Sequence, residues 1–218
     1  SKHLDRVIKI CNKYDFTPMI WSDMYFRLNT ENEEYYRSSP LPKSTLKLIP
    51  EGVELVYWDY YHNEIKTYDD MISYHKDAKR DIIFAGGSWR WKGYAPSIQG
   101  SINNSIPAIL SCVKNDIKSV FLTAWGDNGN ECSIYSTLPI MALYGVADYF
   151  GVSDEAIINS LLVAVTGDTL EDFKTMDLPD MPDNKFISGA YNPSKYLLFQ
   201  DPLNGIFDLQ VKDNFAAN

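Results

Sequence analysis

Residues 54–61 read ELVYWDYY, and this stretch decides the fold. Leu55, Val56, Tyr57 and Trp58 run without a polar break and stop at Asp59. An unbroken run of strand formers, in place of an alternating one, marks a parallel strand covered on both faces. Three further runs have the same character. They are 17–21 (TPMIW), 81–85 (DIIFA) closing in Gly86-Gly87-Ser88-Trp89, and 119–125 (SVFLTAW) capped by Gly126-Asp127-Asn128-Gly129. Helical spacing of apolar residues surrounds them, at 4–14, 67–79 and 103–115. From Trp21 to Trp58 is 37 residues, to Trp89 a further 31, and to Trp125 a further 36. Those are lengths of strand–loop–helix units. Each strand therefore ends on a Trp, at the end where α/β barrels keep their active sites. Trp21, Trp58, Trp89 and Trp125 are expected around one mouth.

A closed barrel needs eight strands and about 250 residues, and only four strand patterns precede residue 126. Beyond Tyr135 the pattern becomes helical, at 138–150 and at 154–165 with Ser153 as its expected N-cap. A Pro/Asp-rich stretch follows at 177–184, then 193–199, without clear periodicity to the end. The expected fold is α/β: the last four units of a (β/α)8 barrel over 1–150, then an incomplete helical C-terminal region over 151–218. A complete four-stranded open sheet is the alternative. Four strands with two open edges would be prone to edge-to-edge aggregation.

Composition narrows the function. Of the 218 residues 45% are hydrophobic and 22% charged, as in a folded globular domain. The net charge of −9 and the lack of a basic stretch disfavour a phosphate backbone as partner. No apolar run reaches membrane-spanning length and no signal peptide opens the chain, so neither a membrane nor secretion is expected. Cys11, Cys112 and Cys132 are odd in number and lack CxxC spacing, which fits reduced thiols and a cytoplasmic location. His3, His62 and His75 are too scattered for a zinc site, and no P-loop, HExxH or GxSxG is present. No metal or cofactor is expected. What stands out is 14% aromatic residues, with 15 Tyr and 5 Trp.

Trp rings beside carboxylates suit a sugar. An indole covers the C–H face of a pyranose, and carboxylates accept from its hydroxyls. The candidate acids are Asp23, Asp59, Asp127 and Glu131. Against this, a buried Trp is usually core, and an Asp at a strand end is often a cap.

Trp21-Ser22-Asp23, Tyr57-Trp58-Asp59, Gly86-Gly87-Ser88-Trp89 and Ala124-Trp125-Gly126-Asp127 together resemble strand ends five to eight of family 20 glycoside hydrolases. These are the β-N-acetylhexosaminidases. Asn192-Pro193-Ser194-Lys195-Tyr196 is similar to the C-terminal region of bacterial exo-acting members. The resemblance implies substrate-assisted retention, in which the substrate's acetamido oxygen attacks C1. It implies that Tyr57 donates to the acetamido carbonyl, Trp125 floors the terminal sugar, and Trp21 and Trp89 wall the acetamido group. Asp127 would bind outer hydroxyls, where the family more often has Glu, and Asp59 would lie near the 6-hydroxyl. Trp58, Asp23 and Trp91 match no family role, and packing, a cap and a loop aromatic are their expected parts. The ligand so implied is a terminal N-acetylglucosamine or N-acetylgalactosamine.

One family element has no counterpart. The Asp-Glu pair that ends the fourth strand is missing, and Glu33-Glu34 and Asp69-Asp70 are in the wrong setting, a loop and the start of a helix. The expectation is a hexosaminidase fragment, inactive alone, whose partner is the N-terminal half of the barrel. A non-catalytic carbohydrate-binding module is the runner-up. A small α/β enzyme using Asp59 and Asp127 as a carboxylate pair is the third reading.

Overall fold

The structure is a computed structural model that describes residues 2–30, 39–151, 153–181, 193–199, 201 and 203–205. The chain divides into two compact units. The first comprises Ser1–Gly86 and Pro107–Phe121, the second Gly87–Ile106 and Leu122–Asn218. The domain boundary expected at residue 150 falls inside the second unit.

The first unit is built on a parallel sheet. Its strands are β1 (Met19–Trp21), β2 (Glu54–Trp58), β3 (Ile82–Gly87) and β4 (Ser119–Thr123), the last residues of β3 and β4 belonging to the second unit. They lie in the order β1-β2-β3-β4, so each strand neighbours the next in sequence. Met19 pairs with Glu54, Trp21 with Val56, and Tyr57 with Phe84, all in parallel register. Helices α1 (Lys2–Lys13), α2 (Asp23–Arg27), α3 (Lys43–Leu46), α4 (Ile65–Lys76) and α5 (Ile98–Lys114) fall between the strands or before them. The short α2 and α3 were not evident in the sequence. Glu33 and Glu34 lie outside the described residues. Asp69 and Asp70, expected to begin a helix, instead sit in the middle of α4.

Side-chain parity assigns the two faces of the sheet. Successive strand residues point to opposite sides. Leu55, Tyr57 and Phe84 join one buried cluster with Ile8 of α1, Tyr68, Met71 and Ile72 of α4, and Ala108 and Cys112 of α5. Val56, Ile83 and Ala85 form the opposite cluster, with Trp58 packed against it. Every helical residue in these two clusters is on the Tyr57 side. The central strands are thus covered on both faces, as their unbroken apolar runs anticipated. The outer strands are barer, with Met19 and Trp21 of β1 and Val120 and Phe121 of β4 exposed.

The second unit is mostly helical. Its elements include α6 (Leu138–Phe150), α7 (Glu155–Thr166), α8 (Leu170–Lys174), 3-10 segments at Asp127–Gly129, Ile134–Thr137 and Thr175–Asp180, and α9 (Pro193–Leu198). Helix α6 has the bounds expected from sequence, opens with Pro139 and ends at Gly151 with φ 72°. The cap of α7 is Asp154, not Ser153: its carboxylate accepts from the N–H groups of Ala156 at 2.9 Å and Ile157 at 3.2 Å. Two such bonds and a negative charge at the helix start favour Asp over a hydroxyl. Among the described residues no helix is long and apolar enough to cross a membrane.

Candidate functional site

The candidate residues divide between the units, Trp21, Tyr57 and Asp59 in the first and Trp89, Trp125 and Asp127 in the second.

In the first unit, the turn after β2 gathers four donors on one carboxylate. Asp59 Oδ1 accepts the backbone N–H of Tyr61 at 3.0 Å and of His62 at 3.3 Å. Oδ2 accepts the Tyr57 hydroxyl at 2.9 Å and lies 2.7 Å from His62 Nδ1. Asp59 is 2% exposed, and a buried carboxylate needs this degree of pairing. The hydrogen bond to Asp59 lifts the His62 imidazole above its ordinary pKa, outweighing partial burial. Tyr57 is fully buried on the helix side of the sheet, its ring 4.8 Å from that of His75 and 5.4 Å from that of Phe84. The hydroxyl expected to meet an acetamido group is therefore held inside the fold and spent on Asp59.

At the end of β1, Trp21 is 44% exposed and Asp23 is buried in the first turn of α2. Between them Ser22 is buried, its Oγ 2.9 Å from the Val56 carbonyl and 2.7 Å from His75 Nε2.

In the second unit Trp89 is 4% exposed and stacks on Trp91, with ring centroids 4.3 Å apart. Trp91, expected as a loop aromatic, is equally buried. The backbone N–H of Trp89 donates to Ser101 Oγ at 2.8 Å, and its carbonyl accepts from Ser97 N–H at 2.8 Å. Trp125 is partly exposed, and its carbonyl accepts from buried Arg90, which also donates to the Cys132 carbonyl. Asp127 is exposed at the start of a 3-10 turn, Asp127–Gly129, with left-handed Asn128 inside it and left-handed Asn130 ending it. Lys195 of α9 clasps that turn, donating to the Asn128 carbonyl and to Glu131 at 2.8 Å. That bond pulls the Glu131 carboxyl below its ordinary range. Both acids of the loop are exposed, and Glu131 is engaged by Lys195.

The sequence sets His62 neither in a metal-ligand pattern nor beside an Asp-Glu pair. The signal for it was the spacing Asp-x-x-His just past a strand end, which lets a turn fold the imidazole back on the carboxylate. Among the described residues no group of three His, Cys, Asp or Glu side chains has metal-binding geometry. A scan against protein-family models finds no match, and neither does a search of curated proteins.

Proposed function

We propose that this chain is the sugar-binding half of a family-20-like exo-β-N-acetylhexosaminidase barrel, acting on terminal N-acetylhexosamine and taking its Asp-Glu acid from the other half. The observation that carries the reading is the sheet. A doubly wound sheet reverses its strand order and places helices on both faces, whereas a barrel adds each parallel strand beside the last and keeps its helices outside. Here the order is sequential, and the helical residues in the two clusters against the sheet share one face. The exposed apolar side chains of β1 and β4 fit strands that each await a neighbour.

Within this reading the four motifs follow the C-terminal ends of β1 to β4. Trp21 is exposed in the first unit, and in the second Trp125 is partly exposed and Asp127 exposed. Tyr57 is assigned a bracing part through Asp59, since burial withholds it from direct contact. Trp89 shapes the loop after β3 from within its stack with Trp91.

The experiment is to read the coding DNA upstream of Ser1 and express the whole reading frame. A frame that runs through a strand ending in Asp-Glu, and a product that hydrolyses 4-nitrophenyl N-acetyl-β-glucosaminide while the 218-residue chain does not, is the expected result. Hydrolysis by the 218-residue chain itself, or none by the folded full product, overturns it. A carbohydrate-binding module is the second reading, favoured by the absence of an Asp-Glu pair beside any His of this chain.

A further inference from the structure

The turn Trp58-Asp59-Tyr60-Tyr61-His62 follows β2 and lies wholly in the first unit. A carboxylate offers about four acceptor positions, and all of those on Asp59 are occupied from within the chain. Asp59 is therefore closed to any ligand. The group it supports is not closed. The His62 side chain is 40% exposed, Nδ1 is engaged by Asp59, and Nε2 has no partner among the described residues. The backbone behind the ring is fixed as well, because the Tyr68 hydroxyl donates to the His62 carbonyl at 2.6 Å. An imidazole tethered at both its ring and its backbone has little rotamer freedom left to lose on binding, which lowers the cost of capture.

An exposed aromatic precedes it in the turn. Tyr61 is 51% exposed, with its ring centroid 6.1 Å from Trp58 and 5.0 Å from buried Tyr60. Trp58 and Tyr60 lie 5.2 Å apart, so the exposed phenol stands on an aromatic base.

We propose that His62 and Tyr61 form a saccharide contact, in which His62 Nε2 hydrogen-bonds a ring hydroxyl and the Tyr61 face covers adjoining C–H groups, with Asp59 as the positioning residue behind His62. A hydroxyl suits this imidazole in either state, accepting from the charged ring or donating to the neutral one. An anion suits only the charged ring, and there it meets the neighbouring carboxylates Asp59 and Glu64 and a chain of net charge −9. The choice of a neutral N-acetylhexosamine rests on the function proposed above; the contact itself is not among the residues that the family resemblance supplies.

The test uses the 218-residue chain. Its His62 imidazole and Tyr61 ring resonances are followed by NMR during titration with methyl N-acetyl-β-glucosaminide and, separately, inorganic phosphate. Saturable shifts at both residues with the sugar are expected, and none with phosphate. His62→Phe should weaken binding about 10-fold and His62→Gln should restore part of it. His62 signals that stay fixed up to about 50 mM sugar, or that respond equally to phosphate, overturn the contact. If His62 stays silent while the full reading-frame product hydrolyses its substrate, only this inference falls. If His62 responds while that product is inert, the enzyme reading falls and the contact stands.

Discussion

Ser22 Oγ lies 2.7 Å from His75 Nε2, a buried pair that joins the residue after β1 to the last turn of α4. His75 Nδ1 is 2.6 Å from the Met71 carbonyl. A carbonyl only accepts, so Nδ1 carries the proton, and the single Ser22 hydroxyl proton is shared between two acceptors, His75 Nε2 and the Val56 carbonyl. The ring is neutral, and burial pushes its pKa down to about 4.

An acid-sensitive core follows. The unfolded chain protonates this His near pH 6.5 and the folded one near 4, so the stability from neutral His75 is complete above about 6.5 and lost as pH falls through about 4. Thermal melts of His75→Gln, which cannot ionise, should show a flatter loss across that window. An unchanged slope would remove His75 as the cause.

Asp177 carries the opposite dependence. It accepts from the backbone N–H groups of Ile98 at 2.7 Å and Gln99 at 2.8 Å, capping the start of α5 within the second unit. Burial nevertheless raises its carboxyl to about 6. The folded state holds its proton longer than the unfolded one, so stability is fullest below about 3.8 and declines as pH rises through about 6. The melting temperature of Asp177→Asn relative to the parent should therefore climb between those values. A constant difference would show that the cap bonds offset the burial.

Tyr57→Phe removes one of four donors from a buried carboxylate while keeping the ring. A hydrogen bond to a charged group is worth about 2 kcal/mol, and urea unfolding should show a loss of that size. A variant as stable as the parent would mean that Asp59 finds another donor.

Lys195→Met should release the loop of Asp127. Lys195 also lies over the Tyr94 ring, 5.8 Å from its centroid, so the variant keeps an apolar stem but loses its bonds to Asn128 and Glu131. Partly exposed ion pairs contribute little globally, at most about 1 kcal/mol. The informative readout is hydrogen exchange, which should quicken at 127–131 with the rest unchanged.

The sequence conveyed the strand–helix succession well, because buried parallel strands are unbroken apolar runs and α6 carries its own start and stop residues. It did not convey which way Tyr57 faces. A run such as Leu55, Val56, Tyr57, Trp58 is apolar on both sides, so no alternation marks the helix face. Ser22 and His75, 53 positions apart, meet only through tertiary packing. Asp69 looked like a solvated charge at a helix start, yet it sits mid-helix and binds Ser111, Lys114 and Asn115 across to α5.

The two-sided burial of β2 imposes a counting rule on the chain. Leu55 and Tyr57 belong to the helix-side cluster and Val56 to its opposite, while Trp58 touches both. Deleting one residue inside β2 would exchange the two sets, turning Tyr57 away from the helices and breaking up the Tyr57–Asp59–His62 assembly. A deletion before Val53, near left-handed Gly52, is absorbed by a turn with no such inversion. A scan of single-residue deletions should show tolerance ending abruptly where β2 begins, with lost residues admitted only in pairs.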